Sequence, residues 1–514
     1  MGTLKQTDVL VIGGGITARR AAKIIAEKYS VTLVFDGAGA SPYVHGLNVP
    51  LSEEDSEELF LSDTLKNGKY QNDPELASML VKGAAAVKNE FSMLFDKNAD
   101  GSYDLLKPLG SSVPRVAGIG GRTGAKVLRE LSERAKYESL SDTRALSLIK
   151  VNEKVAGAWL YDKKRRVHYP VFARAVLIAT GGFGGIFRFS TNSSDIGGDG
   201  AAMAFLAGAE LVDMEFIQYE PTVATSPEPL VGKSVITTML FEGAVMRNAR
   251  GERFMDERVG KDELSLGIAS EIIKGGGTEH RSIFYDMTKV PAEMLTGKYK
   301  DYYQRYKNQG IDISKTPVEI APAPHTTMGG IKIDTECRST LLGLFAAGEA
   351  AGGVHGANRL GGNAGLEVFV FGDAAGRAIV RFLDEKLDTG TPLSLNLPSE
   401  TPDEPYDARC EREELLEILD DALGVIKCEK NLKAALGRVE KIIEKTSGVP
   451  FSFELVRLRN DAVTAKAVIT AALARKESVG SHIRSDGVLT TEEKYCIILR
   501  NENGALTVKK ETLK

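Results

Sequence analysis

Cysteine is scarce in this sequence of 514 residues, and the spacing of the few cysteines excludes two kinds of redox site. The four cysteines are far apart along the chain: Cys337, Cys410, Cys428 and Cys496. Because no CxxC or CxxCH pair occurs, the chain supplies neither the ligands of an iron–sulfur cluster nor the attachment site of a c-type haem. Scattered thiols are also typical of a reducing compartment. We therefore expect no metal site in this chain.

Long apolar runs and an excess of positive charge are absent as well. No stretch is long and apolar enough to span a bilayer, and residues 1–15 lead into a strand pattern without the segments of a signal peptide. The formal net charge of −5 gives no support for a polyanionic partner. The sequence therefore predicts a cytoplasmic protein that binds no nucleic acid and is at most peripheral to a membrane complex.

Glycine, in contrast, is abundant, with 53 residues that cluster in short runs. In the first run, Gly13, Gly15 and Ala18 match G-x-G-x-x-G/A between a strand pattern and a helix pattern. The first glycine allows a tight turn, the second lets the backbone approach a pyrophosphate, and the small third residue lets the helix pack on the strand. The next strand pattern ends at Asp36, whose carboxylate can accept hydrogen bonds from ribose hydroxyls. This spacing predicts a dinucleotide site, with a purely structural strand–helix turn as the alternative.

Two later segments continue the same pattern. A third apolar stretch closes on Thr180, Gly181 and Gly182, and Asp199 stands between glycines just before a helix of small residues. A further strand, glycine loop and helix begin near residue 343. Since one nucleotide-binding fold is completed from distant pieces of sequence, we expect an inserted domain that covers the reactive end of a long cofactor. Length alone predicts two or three domains.

Several ordered motifs carry a resemblance to a known family. They are "ATGGFG", "GGDGAAMAFLAGAELVDMEF", "HTTMGGI", "GEAAGGVHGANRLGGNAGLE" and "ARKESVGSHIRSD". Together with the first glycine motif, they resemble the flavoprotein subunit of the succinate dehydrogenase/fumarate reductase family, which includes L-aspartate oxidase and soluble FAD-linked enoate reductases. The resemblance covers nearly the whole chain. It implies an α/β fold with a two-part Rossmann-like FAD-binding domain (1–217 and 325–395), an inserted α+β capping domain (218–324) and a C-terminal helical domain (405–514), preceded by a polar linker.

The resemblance implies that the cofactor is FAD. It adds Glu349, near the ribityl chain, and the backbone at Ala364 and Gly365 to the cofactor site, beside Asp199. Family members with covalent FAD carry a histidine at a place that aligns near Ala40 here. We therefore predict non-covalent FAD, with a tether through His45 as the alternative.

The resemblance also implies two substrate-binding residues. The arginine of "NRLGGN", Arg359, is expected to bind a substrate carboxylate, because a guanidinium presents a planar fork that pairs with both oxygens. Asn358 and Asn363 are expected to hold the glycine loop through side-chain bonds to the backbone. His325 is the second residue at the substrate, where an imidazole can bind an oxygen. The alternatives are a surface ion pair for the arginine and a packing role for the histidine.

The segment that corresponds to the cap departs from the family. Glu220 stands where dicarboxylate enzymes carry a histidine, and a buried anion there would repel an anionic substrate unless it is protonated. Residues 237–240 replace an acid and an arginine, so the pocket is expected to be more apolar. Lys261-Asp262 replaces the arginine–aspartate pair of the proton donor, and lysine is a plausible acid with Asp262 as its orienting or relaying partner. A solvated charged turn is the alternative, and Arg253 is another candidate.

The sequence therefore predicts an FAD-dependent oxidoreductase that transfers hydride between flavin N5 and a carboxylate-bearing substrate other than fumarate or succinate. One alternative is an amino-acid oxidase related to L-aspartate oxidase, in which Glu220 receives an ammonium group. Another is a non-catalytic electron-transfer flavoprotein of a larger redox complex. Because no second dinucleotide motif follows, we expect a separate protein, with an iron–sulfur subunit favoured, to exchange electrons with the flavin.

Overall fold

A computed structural model describes residues 5–385, 400–447, 452–488, 493–502 and 504–513. The predicted linker at 387–407 and the end of the second FAD-binding segment, 386–395, lie wholly or partly outside these residues. None of the helices in the described ranges is both long and apolar enough to cross a membrane.

The strands fall into several sheets, and their bounds in chain order are as follows: β1 (Lys5–Ile12), β2 (Val31–Val34), β3 (Gly46–Asn48), β4 (Leu105–Leu106), β5 (Val116–Gly118), β6 (Glu138–Leu140), β7 (Thr143–Val151), β8 (Lys154–Asp162), β9 (Val167–Ile178), β10 (Leu211–Val212), β11 (Ile217–Ala224), β12 (Val245–Arg247), β13 (Ile283–Asp286), β14 (Val318–Thr327), β15 (Gly330–Ile331), β16 (Leu344–Ala346), β17 (Thr401–Pro402), β18 (Ile426–Lys427), β19 (Ile483–Arg484), β20 (Tyr495–Glu502) and β21 (Ala505–Thr512).

The α-helices alternate with these strands in the first half of the chain and cluster near its end: α1 (Ile16–Ile25), α2 (Glu57–Asn67), α3 (Pro74–Phe91), α4 (Thr123–Glu133), α5 (Asp199–Ala207), α6 (Lys261–Glu271), α7 (Ala292–Thr296), α8 (Lys300–Lys307), α9 (Asn363–Asp384), α10 (Arg409–Ala422), α11 (Glu429–Thr446) and α12 (Phe453–Ala474).

A parallel sheet forms the centre of the largest domain. Its order is β6-β2-β1-β9-β16, with every neighbouring pair parallel, and β7 and β8 extend it as antiparallel strands beside the first half of β9. The central strands are apolar and buried on both faces, as a sheet covered by helices requires. Ile12 is in register with Val34 and with Ile178, and Ile178 is in register with Ala346. The carboxyl ends of four strands therefore meet at one edge.

The inserted cap is a smaller α+β unit. Its antiparallel sheet has the order β11-β14-β13-β12, so the chain enters and leaves the cap on two paired strands. A separate buried apolar cluster, which includes Met246, Leu264 and Tyr285, fills the cap. The expected boundary at 324/325 falls inside β14, which places His325 on a strand of the cap sheet.

The C-terminal part contains the three expected helices and also a β-hairpin. Helices α10, α11 and α12 pack together, and α12 lies against α5 of the FAD-binding domain. The hairpin of β20 and β21 follows, and β20 pairs antiparallel with β10. The sequence predicts a helical domain here and does not predict the hairpin. Its partner strand, β10, is remote in sequence.

Candidate functional site

A deep cleft lies where the four parallel strands end. It has an empty volume of about 1080 Å3 and is lined by the loops that follow β1, β2, β9 and β16. Ligands of doubly wound sheets bind at this edge, because the loops there diverge and leave a crevice. We call it the glycine cleft.

Glycines form the floor of the glycine cleft for steric reasons. Gly13 has φ of +135°, and a Cβ there would lie 2.1 Å from the carbonyl oxygen of Ala179. A Cβ on Gly14 would lie 2.1 Å from the carbonyl oxygen of Gly37. Helix α1 begins after Gly15 with no acidic residue in its first turn, so the positive end of its dipole is free to attract a phosphate. The cleft thus has the shape and polarity of a pyrophosphate cradle.

Two carboxylates of the glycine cleft share one buried arginine. Arg144 Nε donates to Asp199 Oδ2 at 2.8 Å, and its Nη1 lies 3.4 Å from Asp36 Oδ2. Lys163 Nζ also contacts Asp36, at 2.8 Å. A carboxylate can accept about four hydrogen bonds, so Asp36 keeps capacity for ribose hydroxyls. Sequence reasoning missed Arg144, because a lone arginine on a strand carries no motif.

The other predicted cofactor residues differ in their positions. Thr180 and Gly181 line the glycine cleft. Ala18 is fully buried in α1, consistent with close helix packing. Gly182 is not among the residues that line the glycine cleft. It packs against Thr327, since a Cβ at Gly182 would lie 2.0 Å from Thr327 Oγ1. Gly365 lines a second cavity at the start of α9.

This second cavity, the cap cavity, lies between the FAD-binding domain and the cap and has an empty volume of about 1310 Å3. Four residues line both cavities: Ala40, Val44, Glu349 and Ala364. Glu349 accepts a hydrogen bond from Thr327 N at 2.9 Å, and burial raises the pKa of its carboxyl to about 7. The two cavities therefore lie next to each other. Together they offer room for an elongated cofactor, with its dinucleotide end in the glycine cleft and its ring in the cap cavity.

Arg359 is a buried cation without a carboxylate partner. It is 6% exposed and lines the cap cavity. Among the described residues, its Nε has no hydrogen-bond partner, and Nη1 reaches only the carbonyl oxygen of Leu360 at 3.4 Å. Burial lowers the pKa of the guanidinium. A guanidinium in this state is strongly stabilised by an anion that enters the cavity.

The loop around Arg359 is held by polar side chains of other segments. Gln218 Nε2 donates to Asn358 Oδ1 at 2.8 Å and to the carbonyl oxygen of Arg359 at 2.7 Å. Asn363 bonds to the side chains of Asn48 and Thr64. The expectation that Asn358 and Asn363 bond to the backbone is therefore wrong, because polar side chains of four other segments lie within reach.

Lys261 and Glu220 form an ion pair in the wall of the cap cavity. Lys261 is the first residue of α6, where the helix dipole disfavours a cation, and Glu220 compensates for this. Register shifts in β11 flank Glu220, and bulges of this kind redirect a side chain. From the sequence alone, Glu220 is either a buried anion or a protonated acid; in the structure it is paired with Lys261, so its charge is neutralised within the protein.

His325 lies next to this ion pair. Its Nε2 is 3.9 Å from Glu220 Oε2, and its Nδ1 is 2.8 Å from Thr191 Oγ1. Burial, followed by the charges of Lys261 and Arg359, holds the pKa of His325 well below its ordinary value. The imidazole is therefore neutral near pH 7 and can donate one hydrogen bond without adding charge to the site.

Asp262 connects the cap to the FAD-binding domain. It is buried, accepts from Asn358 Nδ2 at 3.0 Å and pairs with Lys69 Nζ at 2.9 Å. Lys69 and Tyr70 both have positive φ, which is uncommon for residues with side chains. Asp262 does not line the cap cavity, so its geometry fits a positioning role behind Lys261.

Arg253 does not belong to the site. Its side chain is 52% exposed and pairs with Glu257. The turn after β8, residues 163–166, is expected to be a solvated hairpin tip, and it is indeed the turn between two paired strands. Lys163 in this turn nevertheless pairs with Asp36 of the glycine cleft.

Two family models match the sequence. An FAD binding domain model matches residues 8–364, and a model of the fumarate reductase flavoprotein C-terminus matches residues 412–503. An uncharacterized FAD-dependent oxidoreductase of Methanocaldococcus jannaschii is 34% identical, with 95% of each chain covered. The fumarate reductase (CoM/CoB) of Methanothermobacter marburgensis has a subunit that is 33% identical, with 97% of each chain covered. L-aspartate oxidase of Clostridium acetobutylicum is 30% identical over 85% of this chain and 97% of its own.

Solved structures share the whole fold. Mycobacterium smegmatis Sdh1, in complex with UQ1, superposes with a TM-score of 0.85 and 28% identity, covering 99% of this chain and 95% of its own. The glycine cleft, the cap and the C-terminal helices thus form one known arrangement.

Proposed function

Since this chain belongs to the succinate dehydrogenase/fumarate reductase flavoprotein family and is an FAD-dependent oxidoreductase, we propose that it transfers hydride to or from the β-carbon of a carboxylate substrate. One observation carries the proposal. Arg359 is a buried guanidinium that pairs with no carboxylate among the described residues, and it lines the cavity next to the glycine cleft. A planar carboxylate matches its two-pronged geometry.

Each polar group of the cap cavity has a separate task in this reaction. Bound FAD would supply hydride chemistry at its N5 position. Arg359 binds the carboxylate and stabilises the negative charge that develops on it in the transition state. Lys261 donates a proton to the α-carbon, which lies between the β-carbon and the carboxylate, or takes one from it in the oxidising direction, and Glu220 holds its ammonium group. His325 donates a hydrogen bond to the substrate.

Mutation of Arg359 tests the proposal. We expect Arg359→Lys to keep the flavin and lower kcat/KM for a carboxylate substrate by on the order of 10²–10³-fold, because lysine keeps the charge and loses the fork. The substrate is found by screening reduced protein for flavin reoxidation by enoates and oxidised protein for bleaching by saturated acids and amino acids. Arg253→Lys is the matched control, since that arginine is in the cap and outside the cavity. Equal activity of Arg359→Lys and wild type would contradict the proposal.

In the amino-acid oxidase alternative, the ammonium group of the substrate would lie beside Glu220. That carboxylate already pairs with Lys261, so a substrate ammonium group would have to displace a lysine of the chain. We therefore favour an enoate or its saturated product over an amino acid, and the same screen distinguishes them.

The cofactor is proposed to be non-covalent and to exchange electrons with a separate iron–sulfur protein. The described residues contain no metal-ligating cluster, and the four cysteines are free thiols, so this part of the chain offers no cluster of its own. Denaturation should release the flavin into the supernatant. Co-purification of an iron-containing partner would support the electron route.

A further inference from the structure

The charges that line the cap cavity leave one cation available. Apart from the tyrosines Tyr43 and Tyr302, the charged or titratable side chains among the described lining residues are His45, Glu220, Lys261, His325, Glu349 and Arg359. Lys261 and Glu220 neutralise each other. Burial lowers the pKa of both histidines, so neither adds a positive charge near neutral pH. Among these described lining residues, Arg359 is therefore the one permanent cation that pairs with no carboxylate.

The rest of the wall offers little to a second anion. Leu106, Pro108, Leu109, Ile236 and Tyr302 line the same cavity. Leu109 and Tyr302 are part of the buried apolar cluster of the cap, and Ile236 packs against it. The remaining polar groups of this wall include the hydroxyls of Thr237 and Thr238, which can solvate a neutral group but carry no charge.

From this distribution we propose that the substrate carries a single carboxylate, bound by Arg359, on an apolar or neutral chain, and that dicarboxylates are excluded. The inference rests on the proposed function and specifies its substrate class. Among the described lining residues, a second carboxylate could gain a cation by drawing Lys261 away from Glu220. That exchange would leave Glu220, which is 5% exposed, as an uncompensated buried anion.

Matched pairs of ligands test the inference directly. Crotonate and fumarate differ only in a methyl group against a carboxylate, as do trans-2-hexenoate and trans-2-hexenedioate. Each ligand is titrated into the oxidised FAD-loaded protein, and binding is measured by the change in flavin absorbance. A binding measurement does not depend on the intrinsic reactivity of these compounds, which differs between them. We expect the monocarboxylate of at least one pair to bind more tightly than its dicarboxylate by about tenfold or more, which is about 1.4 kcal/mol.

A variant of Glu220 supplies an independent measurement. Glu220→Gln removes the partner of Lys261 and makes a second cation available, so the ratio of fumarate to crotonate affinity should rise by about tenfold or more. Glu319→Gln is the matched control, because this carboxylate is on β14 of the cap and does not line the cavity. If Glu220→Gln does not fold, the comparison of the ligand pairs on the wild-type protein still tests the inference.

Two results would overturn the inference, and they differ in what they say about the proposed function. If wild type binds dicarboxylates as tightly as monocarboxylates and Arg359→Lys weakens both, the single-anion inference fails and the proposed function stands. If no carboxylate perturbs the flavin, or the perturbation is indifferent to Arg359→Lys, both fail.

Discussion

Lys261 and Glu220 are 41 positions apart in the sequence and form an ion pair in the wall of the cap cavity. By resemblance to the family, the dicarboxylate enzymes are expected to carry a histidine in place of Glu220 and an arginine in place of Lys261. In the folded protein the two side chains lie next to each other, and the positive charge of Lys261 compensates the negative charge of Glu220. The pair removes the charge that a second carboxylate would need and keeps a proton donor in place.

The role of Lys261 as proton donor predicts a separation of kcat from KM. Lys261→Met should lower kcat by on the order of 10²–10⁴-fold and leave KM within a few-fold, because Arg359 still binds the carboxylate. Lys261→Arg should recover part of the rate, since arginine also carries protons to donate. Stopped-flow reoxidation of the reduced flavin by substrate measures the step directly. A loss expressed mainly in KM would assign Lys261 to binding instead.

The shared arginine of the glycine cleft predicts a defect in cofactor binding. Arg144→Ala would leave Asp36 and Asp199 without the cation that lies between them, in a site that is buried on most sides. We expect FAD affinity to fall on the order of 10- to 100-fold, with lower thermal stability, because an unpaired buried carboxylate is costly. The ratio of flavin to protein after purification, and titration of the apoprotein with FAD, measure the effect.

Arg165→Ala is the control for that change. Arg165 is exposed in the turn between β8 and β9, where it pairs with Glu400. Exposed pairs contribute little to stability, so this variant should bind FAD like wild type. Equal flavin content in Arg144→Ala and Arg165→Ala would mean that the two acids do not need their shared cation.

The parts of the site that sequence predicts are those set by local spacing. Gly13, Gly15 and Asp36 follow strands at fixed distances, and the parallel register brings those strand ends together. Arg144 escapes prediction because its partner Asp199 belongs to another segment and the pairing depends on tertiary packing. The pairing of Glu220 with Lys261 escapes prediction for the same reason, since each residue is interpreted alone in the sequence.

The link between the cap and the FAD-binding domain predicts a positioning role for Lys69. Lys69→Ala removes the cation of Asp262, next to Lys261 at the start of α6. We expect kcat to fall about five- to tenfold with an unchanged flavin spectrum, because the proton donor is less firmly oriented. Lys69→Arg should restore most of the rate. Lys66→Ala, an exposed lysine one turn earlier in α2, is the control, and an equal loss there would indicate a general effect on the helix.

The lowered pKa of His325 predicts how stability depends on pH. Between its folded pKa and the ordinary value of 6.5, the unfolded chain binds a proton at this residue and the folded chain does not. The free energy of unfolding therefore rises with pH in this window, and it falls as the pH drops below 6.5. His325→Asn removes this contribution, while other titrating groups are common to both proteins. From pH 6.5 to 5, wild type should lose up to about 2 kcal/mol more stability than His325→Asn, measured by denaturant unfolding of the FAD-loaded proteins. Parallel curves for the two proteins would show that the imidazole of His325 titrates normally in the cap cavity. Another residue would then have to be the neutral hydrogen-bond donor to the substrate.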